Sequence, residues 1–255
     1  ISQGTDGNVE QYLTNYGKTK AEQGTFLAQL AIAHVKKANL NDPQGKLVDP
    51  NLKIADYLAN KAVELNPSVE AYAAKYFIAS RKGNEIEAEN YLVKAEGAPA
   101  TSAVDYIALG QIRAQKGNVD GASAAFRQAT QLDPTNSIAW GKLGESIFSK
   151  AQISGSRGVF DEALSCFKKS RELFAYNVEA WSGEANTYFS FASKFKDFQF
   201  IPLAEQAYKK AFKADLNYWP ARLNYAKILY GQGPSRYLDA LNEFNHIIGR
   251  LYPEN

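Results

Sequence analysis

The 255-residue sequence has no methionine, one cysteine and two histidines. A single cysteine, Cys166, excludes an internal disulfide framework. Beside Phe167 in a helical pattern, it reads as a small buried hydrophobe. His34 and His246 stand near opposite ends of the chain and share no site, so each reads as a helix-surface or hydrogen-bonded core histidine. Paired cysteines, clustered histidines and calcium-loop patterns are all missing, so neither a metal site nor a cofactor is expected. No apolar run approaches the roughly 20 residues that span a bilayer. Neither sign of charge dominates: 29 basic and 27 acidic side chains nearly cancel and are dispersed. The basic stripe that phosphate backbones require is absent, and no nucleic-acid partner is expected. Methionine is missing even from the first position, and the chain opens on the polar stretch from Ile1 to Asn8. This reads as a start removed by processing or by the choice of segment. Removal of a signal or lipoprotein peptide would make the protein exported, and an exported or periplasmic location is favoured over a cytoplasmic one.

What is present is repetition. Hydrophobic residues at 45% and charged residues at 22% give the composition of a folded protein, not of a disordered tail. Five times a small residue is followed four and seven places later by a bulky and another core residue: Ala88/Leu92/Ala95, Ala122/Phe126/Ala129, Ala163/Phe167/Ser170, Ala204/Tyr208/Ala211 and Ala240/Phe244/Ile247. Spacing in this range marks stacked units rather than one shared core. Ahead of each set runs a second pattern: Tyr106, Leu109, Gly110 recurs as Trp140, Leu143, Gly144 and more loosely as Trp181, Glu184, Ala185, Tyr188, while Tyr72 and Arg222 hold the leading place in two further units. Steps of three and four put these residues on one helical face. Each unit is therefore a helix pair. Gly110, Gly144 and Ala185 are expected where paired helices cross, facing Ala122, Ala163 and Ala204, since a large side chain there would push the helices past their usual 8–10 Å. Gly83-Asn84 and Gly117-Asn118 supply a helix stop and then an N-cap. Asn66-Pro67 and Asp133-Pro134 end second helices.

These residues resemble the tetratricopeptide repeat, a helix-turn-helix unit with the pattern Trp, Leu, Gly, Tyr, Ala, Phe, Ala, Pro. Residues 103–136 match best, through Tyr106, Leu109, Gly110, Ala122, Phe126, Ala129 and Pro134. The resemblance covers residues 22–255 as units 22–68, 69–102, 103–136, 137–177, 178–218 and 219–255, after an N-terminal lead, 1–21, that is partly flexible or a capping helix. The first unit is recognisable mainly by Ala55, Ala59, Ala62 and Pro67. Ala175 and Leu216 replace the proline in the units that carry seven extra residues, 137–177 and 178–218. The resemblance implies an all-α fold: a right-handed α-α superhelix, or solenoid, of about twelve antiparallel helices, with two extended repeats. In 178–218 the spacing of Phe191, Phe195 and Phe198 predicts a longer first helix with those rings in the core. Phe189 and Phe200 then point elsewhere, as candidates for a partner or self-association surface. In 137–177 the extra residues read as a flexible turn, Ser154 to Gly158, and a local protrusion is expected from the two units. Gly155-Ser156-Arg157-Gly158 could cradle an anion, but it lacks the Lys-Ser/Thr ending of a P-loop and reads better as a solvated hinge.

In such arrays the first helices line a concave groove. The resemblance therefore implies a partner-binding face with Phe77 and Arg81, then Gln111 and Gln115, Glu145 and Phe148, Asn186 and Phe189, and Lys227 and Tyr230. The lysine-asparagine clamp by which some members hold a C-terminal carboxylate is not assembled, because Ile107, Gly141 and Ser182 stand where lysine belongs. Phe148, Phe189 and Tyr230 share one groove position in three successive units. Either they form an exposed row for a helix or extended peptide, or the chain's own terminal helix covers them. No acid-base or nucleophile set converges, so an enzyme is not expected. The expected role is a non-enzymatic scaffold that binds a peptide or protein partner. The alternative is an accessory or assembly component of a bacterial envelope complex, as a processed lipoprotein. Self-association stays open.

Overall fold

The computed structural model describes residues 19–38, 49–216 and 218–251, so most of the N-terminal lead lies outside the described residues. Among the described residues the chain is all-α, with twelve helices, two 3-10 turns and no strand. The helices are α1 (Lys20–Lys37), α2 (Pro50–Leu65), α3 (Val69–Arg81), α4 (Glu85–Gly97), α5 (Ala103–Gln115), α6 (Val119–Leu132), α7 (Ser137–Ser154), α8 (Arg157–Leu173), α9 (Val178–Phe195), α10 (Ile201–Ala214), α11 (Trp219–Gly231) and α12 (Tyr237–Leu251). The all-helical repeat architecture expected from the sequence is the one observed. The chain forms two compact units, Ile1–Asn118 with α1–α5 and Val119–Asn255 with α6–α12.

Helix boundaries follow the side chains that satisfy the first and last backbone groups. Thr19 and Glu22 close a reciprocal capping box on α1, and Ser102 and Asp105 close one on α5. Asn84, Asn136 and Asn177 each accept a bond from the backbone N–H three residues on. Gly83 takes the left-handed conformation (φ 71°), which frees the Asn84 N–H to bond the Ala79 carbonyl at 2.9 Å. The leading residue of three units has a second use. Trp140 Nε1 donates to the Pro134 carbonyl at 2.9 Å, Trp181 Nε1 to the Ala175 carbonyl at 2.8 Å, and Arg222 Nε to the Leu216 carbonyl at 3.2 Å. The acceptor is backbone, which explains why Ala175 and Leu216 can stand where the repeat pattern has proline.

In the first unit α1 packs on α2 and α3 on α4, with α3 also touching α1, α2 and α5. The centre is rich in alanine: Ala28, Ala31, Ala55, Ala59, Ala62, Ala71 and Ala74 are buried around Leu27, Leu58 and Ile78. In the second unit α7 pairs with α8, α9 with α10 and α11 with α12, while α7 touches α9 and α9 touches α11. Phe167 of α8 fills the space between the hairpins. A Cβ on Gly144 of α7 would come within 2.8 Å of its ring, and one on Gly183 of α9 within 2.3 Å. Phe167 thus sits in a slot with a glycine on each side of its ring, one turn from buried Ala163 in the same cluster. Burying such a ring stabilises by about 2–3 kcal/mol.

The two extended first helices, α7 and α9, have 18 residues each, against 13 in α3, α5 and α11. Two sequence expectations need correction here. The Ser154–Gly158 segment is mostly helix, because Ile147 and Ala151 prolong the buried face of α7, and only Gly155 and Ser156 form the turn. In α9 the helix stops at Phe195, where Lys196 turns left-handed (φ 59°). That reversal breaks the helical phase, so Phe198 is 61% exposed while Phe200 packs on Tyr188 and Phe191 with ring centres 5.7 and 4.8 Å away. The extensions pack on each other through Phe160, which meets Phe148, Phe191 and Phe195 edge-on at 5.7–6.2 Å.

One buried pair in the first unit links stability to pH. Glu70 of α3 and Asp105 of α5 are both buried. Burial, then the neighbouring Asp105, pushes the Glu70 carboxyl up to about 7. Burial alone would raise Asp105 too, but hydrogen bonds from Glu70 and from Thr101 and Ser102 hold it below the usual carboxylate range. Glu70 is thus the carboxyl of the pair that keeps its proton to higher pH.

Two predictions follow from this packing. Gly183→Ala lowers the urea midpoint despite the better helix propensity of alanine, because overpacking costs about 1–3 kcal/mol against roughly 1 kcal/mol gained; Phe167→Leu in the same chain relieves much of that loss, and strict additivity of the two changes would contradict the slot. Between about pH 4.5 and pH 7 the unfolded chain releases the Glu70 proton while the folded chain keeps it. Stability therefore falls across that window by on the order of 2 kcal/mol and then levels off. Glu70→Gln flattens this slope in thermal unfolding measured from pH 5 to pH 8.

Candidate partner-binding surface

In the second unit, side-chain bonds tie each first helix to the next. Lys142 Nζ of α7 lies 2.9 Å from Glu145 and 3.0 Å from Glu179 of α9. Gln152 Nε2 donates to Ser190 Oγ at 3.1 Å, and Lys194 Nζ to the Gln152 carbonyl at 3.3 Å. Between α9 and α11, Asn224 Nδ2 donates to Asn186 Oδ1 at 3.1 Å, and the same oxygen accepts the phenol of Tyr208. The three helices thus present one surface rather than three separate ridges.

Burial would lower Lys142 alone, but Glu145 and Glu179 outweigh it and hold the ammonium above its ordinary range. Its charge is spent inside the fold. Burial, then Glu179 and Glu145, pushes the Tyr218 phenol up to about 12, and burial raises Tyr208 as well.

The residues expected to bind separate into two groups. In the first unit, Phe77 is half-buried against the α1–α3 core and meets Tyr76 edge-on at 5.3 Å. Arg81 and Gln111 are half-buried and Gln115 is exposed. In the second unit the three adjacent helices carry the rest. Glu145 is bonded to Lys142, and Asn186 is held by Tyr208 and Asn224. Phe148 and Phe189 are half-buried, each packed against two core clusters. Lys227 is exposed, and Tyr230 is 59% exposed while stacked on Tyr237 at 4.9 Å. The aromatic row thus runs from packed rings at Phe148 and Phe189 to an open one at Tyr230.

Sequence reading missed Asn224 and Gln152, the partners of Asn186 and Ser190. A signal was present: the Gln152–Ser190 and Asn186–Asn224 bonds each span 38 positions, one turn less than the 41-residue period of the extended units. Ile107, Gly141 and Ser182, where a carboxylate clamp would carry lysine, are all buried.

Most other reactive-looking groups are occupied within the fold. Cys166 is buried beside Phe167, and burial pushes its thiol up to about 11. His34 bonds Asn51 at 3.0 Å, and His246 is exposed. Arg157 lies over the rings of Phe191 and Phe195 and bonds Asp197 at 2.9 Å. A cleft of about 260 Å³ on α8, α9 and α10 has Glu184 at its base, where Arg171 and Tyr188 donate to separate carboxylate oxygens. Among the described residues no helix is long and apolar enough to cross a membrane.

Comparison with known proteins agrees with this geometry. No curated protein sequence matches the chain. Among solved structures, pilF of Pseudomonas aeruginosa is 18% identical over 92% of this chain and 95% of its own, with a TM-score of 0.57. TTC0263 of Thermus thermophilus, described as a TPR protein, is 14% identical over 74% of this chain and 93% of its own, with a TM-score of 0.60. Human IFIT1 is 17% identical over 91% of this chain, which spans 54% of that protein, with a TM-score of 0.64. At such identities the likeness is one of fold alone. The tetratricopeptide repeat family itself matches residues 106–136, the stretch that keeps Leu109, Gly110, Ala122, Phe126, Ala129 and Pro134, with Tyr106 for the pattern's tryptophan and Arg113 for its tyrosine. The neighbouring hairpins repeat the same helix-pair architecture with other side chains at those positions, so the chain is an all-α helical-repeat protein with a tetratricopeptide-repeat match at 106–136.

Proposed function

We propose that the chain is a non-enzymatic scaffold that binds a peptide or protein segment across α7, α9 and α11 of its second unit. The observation that carries this reading is the cross-linking of the three helices by Lys142–Glu179, Gln152–Ser190 and Asn224–Asn186. It yields a surface of amides, hydroxyls and aromatic edges held in place before any partner arrives, which lowers the ordering cost of binding. An extended or helical segment would meet the open ring of Tyr230 and the stem of Lys227, then the Asn186–Asn224 pair, and then the edges of Phe189 and Phe148. In the first unit α3 and α5 carry Phe77, Arg81, Gln111 and Gln115 as a separate candidate face. The reading is non-enzymatic because buried Cys166 and the ion-paired Arg157, Arg171 and Glu184 are already engaged within the fold, and it takes a protein rather than a nucleic acid as partner because the face carries no run of basic side chains.

The test is selection of peptides from a random displayed library against the whole chain, followed by affinity measurement. Tyr230 and Lys227 are exposed, so Lys227→Ala/Tyr230→Ala leaves the fold intact, and it is expected to weaken selected peptides about 10-fold or more, as loss of an aromatic anchor does. Ile86→Ala, at an exposed position on α4 of the first unit, leaves binding unchanged. Peptides that bind both variants equally would place the site elsewhere.

A further inference from the structure

The cleft on α8, α9 and α10 uses a different face of α9 from the surface shared with α7 and α11. Trp181, Glu184 and Tyr188 line it at steps of three and four, whereas Asn186, Phe189 and Ser190 fall on the other side of the helix. Its centre is one immobilised guanidinium. Arg171 lies over the Trp181 ring at 4.7 Å, and its Nε donates to the buried Glu184 carboxylate at 2.5 Å. The other oxygen of Glu184 accepts the Tyr188 hydroxyl at 3.0 Å, so that carboxylate is already satisfied. Among the described residues the two terminal nitrogens of Arg171 bond nothing, and 27% of its side chain is open to solvent.

Two ammonium groups flank this fork. Lys168 stands 5.7 Å from the centre of the Tyr188 ring, and Lys210 lines the wall contributed by α10. Neither pairs with a carboxylate among the described residues. Lys168, Arg171 and Lys210 thus face the single charge of Glu184, and the cleft is left electropositive. The rest of the α10 wall is apolar, with Ala207 buried and Leu203 41% exposed.

We propose that this cleft binds an acidic side chain of a partner protein, a glutamate or aspartate with an apolar residue beside it. The terminal nitrogens of Arg171 form a planar fork that the two oxygens of a carboxylate match. Trp181 and Glu184 hold that fork in place before binding, which lowers the ordering cost. Lys168 and Lys210 balance the incoming charge, and Leu203 meets the apolar neighbour. Size agrees with a side chain: the cleft holds about 260 Å³, below the roughly 300–1,000 Å³ of sites that enclose a whole small molecule. Glu184 at the base sets the choice of anion, because it repels a phosphate of nearly two charges about twice as strongly as a carboxylate of one. This inference does not rest on the reading of α7, α9 and α11, and either can fail alone.

Titration of the isotope-labelled whole chain with the end-blocked tripeptide Leu-Glu-Leu, followed by NMR, tests it. The chain has three tryptophans, and Trp181 is the one that lines the cleft. Its indole N–H signal, identified by Trp181→Phe, is expected to shift to saturation while those of Trp140 and Trp219 stay in place. Leu-Gln-Leu shifts nothing. Lys168→Gln/Lys210→Gln leaves the Arg171–Glu184 pair untouched and weakens binding about 10-fold. Arg171→Lys keeps the charge but loses the fork, and weakens it by about as much. Lys227→Ala/Tyr230→Ala binds the tripeptide like the parent. An unmoved Trp181 signal at roughly 5 mM Leu-Glu-Leu, enough to fill a site of millimolar Kd, overturns the proposal. So does parental affinity in the lysine variant, or tighter binding of Leu-phosphoserine-Leu than of Leu-Glu-Leu.

Discussion

Phe167 occupies a slot that exists only because positions 144 and 183 carry no side chain. A methyl group on Gly183 would sit 2.3 Å from its ring, well inside van der Waals contact, so ring and glycine are mutually required. The ring belongs to the second helix of one hairpin, and the two glycines belong to the first helices of its own hairpin and the next. One residue therefore sets both the spacing within a pair and the spacing between pairs. In an array whose stability is a sum of neighbour terms, such a contact determines whether successive units share a common register.

Once that register is set, the extensions have somewhere to go. The added turns of α7 and α9 emerge side by side and close over Phe160, with Arg157 laid across the outer rings and tied to Asp197. The same alignment brings Gln152 within reach of Ser190, and Asn224 within reach of Asn186. Polar cross-links between first helices are thus a consequence of apolar packing between hairpins. The first unit solves a similar problem with charge: Lys75 sits buried between Asp56 and Asn60, and burial beside Asp105 raises the Glu70 carboxyl.

Periodicity made the helix pairs, their turns and their buried alanine stripes legible, because each depends on spacing within a dozen residues. Contacts that depend on a neighbouring unit were harder to see. Gly183 looked like an ordinary residue beside the diagnostic Glu184-Ala185, since its purpose is visible only once Phe167 arrives from another hairpin. Phe198 and Phe200 exchanged their expected places because a single left-handed residue, Lys196, reset the phase, and lysine advertises no such turn. The Ser154–Gly158 segment carried two glycines and two serines, a loop composition, yet buried Ala151 drew the helix through half of it. Asn186 was marked from the repeat resemblance, whereas its partner Asn224 needed the 38-residue offset between helices to be known.

Buried charge in the second unit is neutralised within the array, Arg171 by Glu184, Arg222 by Glu243 and Lys142 by two glutamates. Apart from the exposed ammonium of Lys227, what remains for a partner to meet on α7, α9 and α11 is amide, hydroxyl and ring, so little selectivity can come from long-range fields. Under the proposed reading it comes from desolvation. A segment that covers the Asn186–Asn224 pair without offering it a donor or acceptor forfeits about 1–3 kcal/mol per unpaired group. One extra methylene against Tyr230 recovers only about 0.8 kcal/mol. The amide pair is therefore the element that rejects wrong sequences, while the rings supply affinity with little discrimination among apolar side chains of similar size.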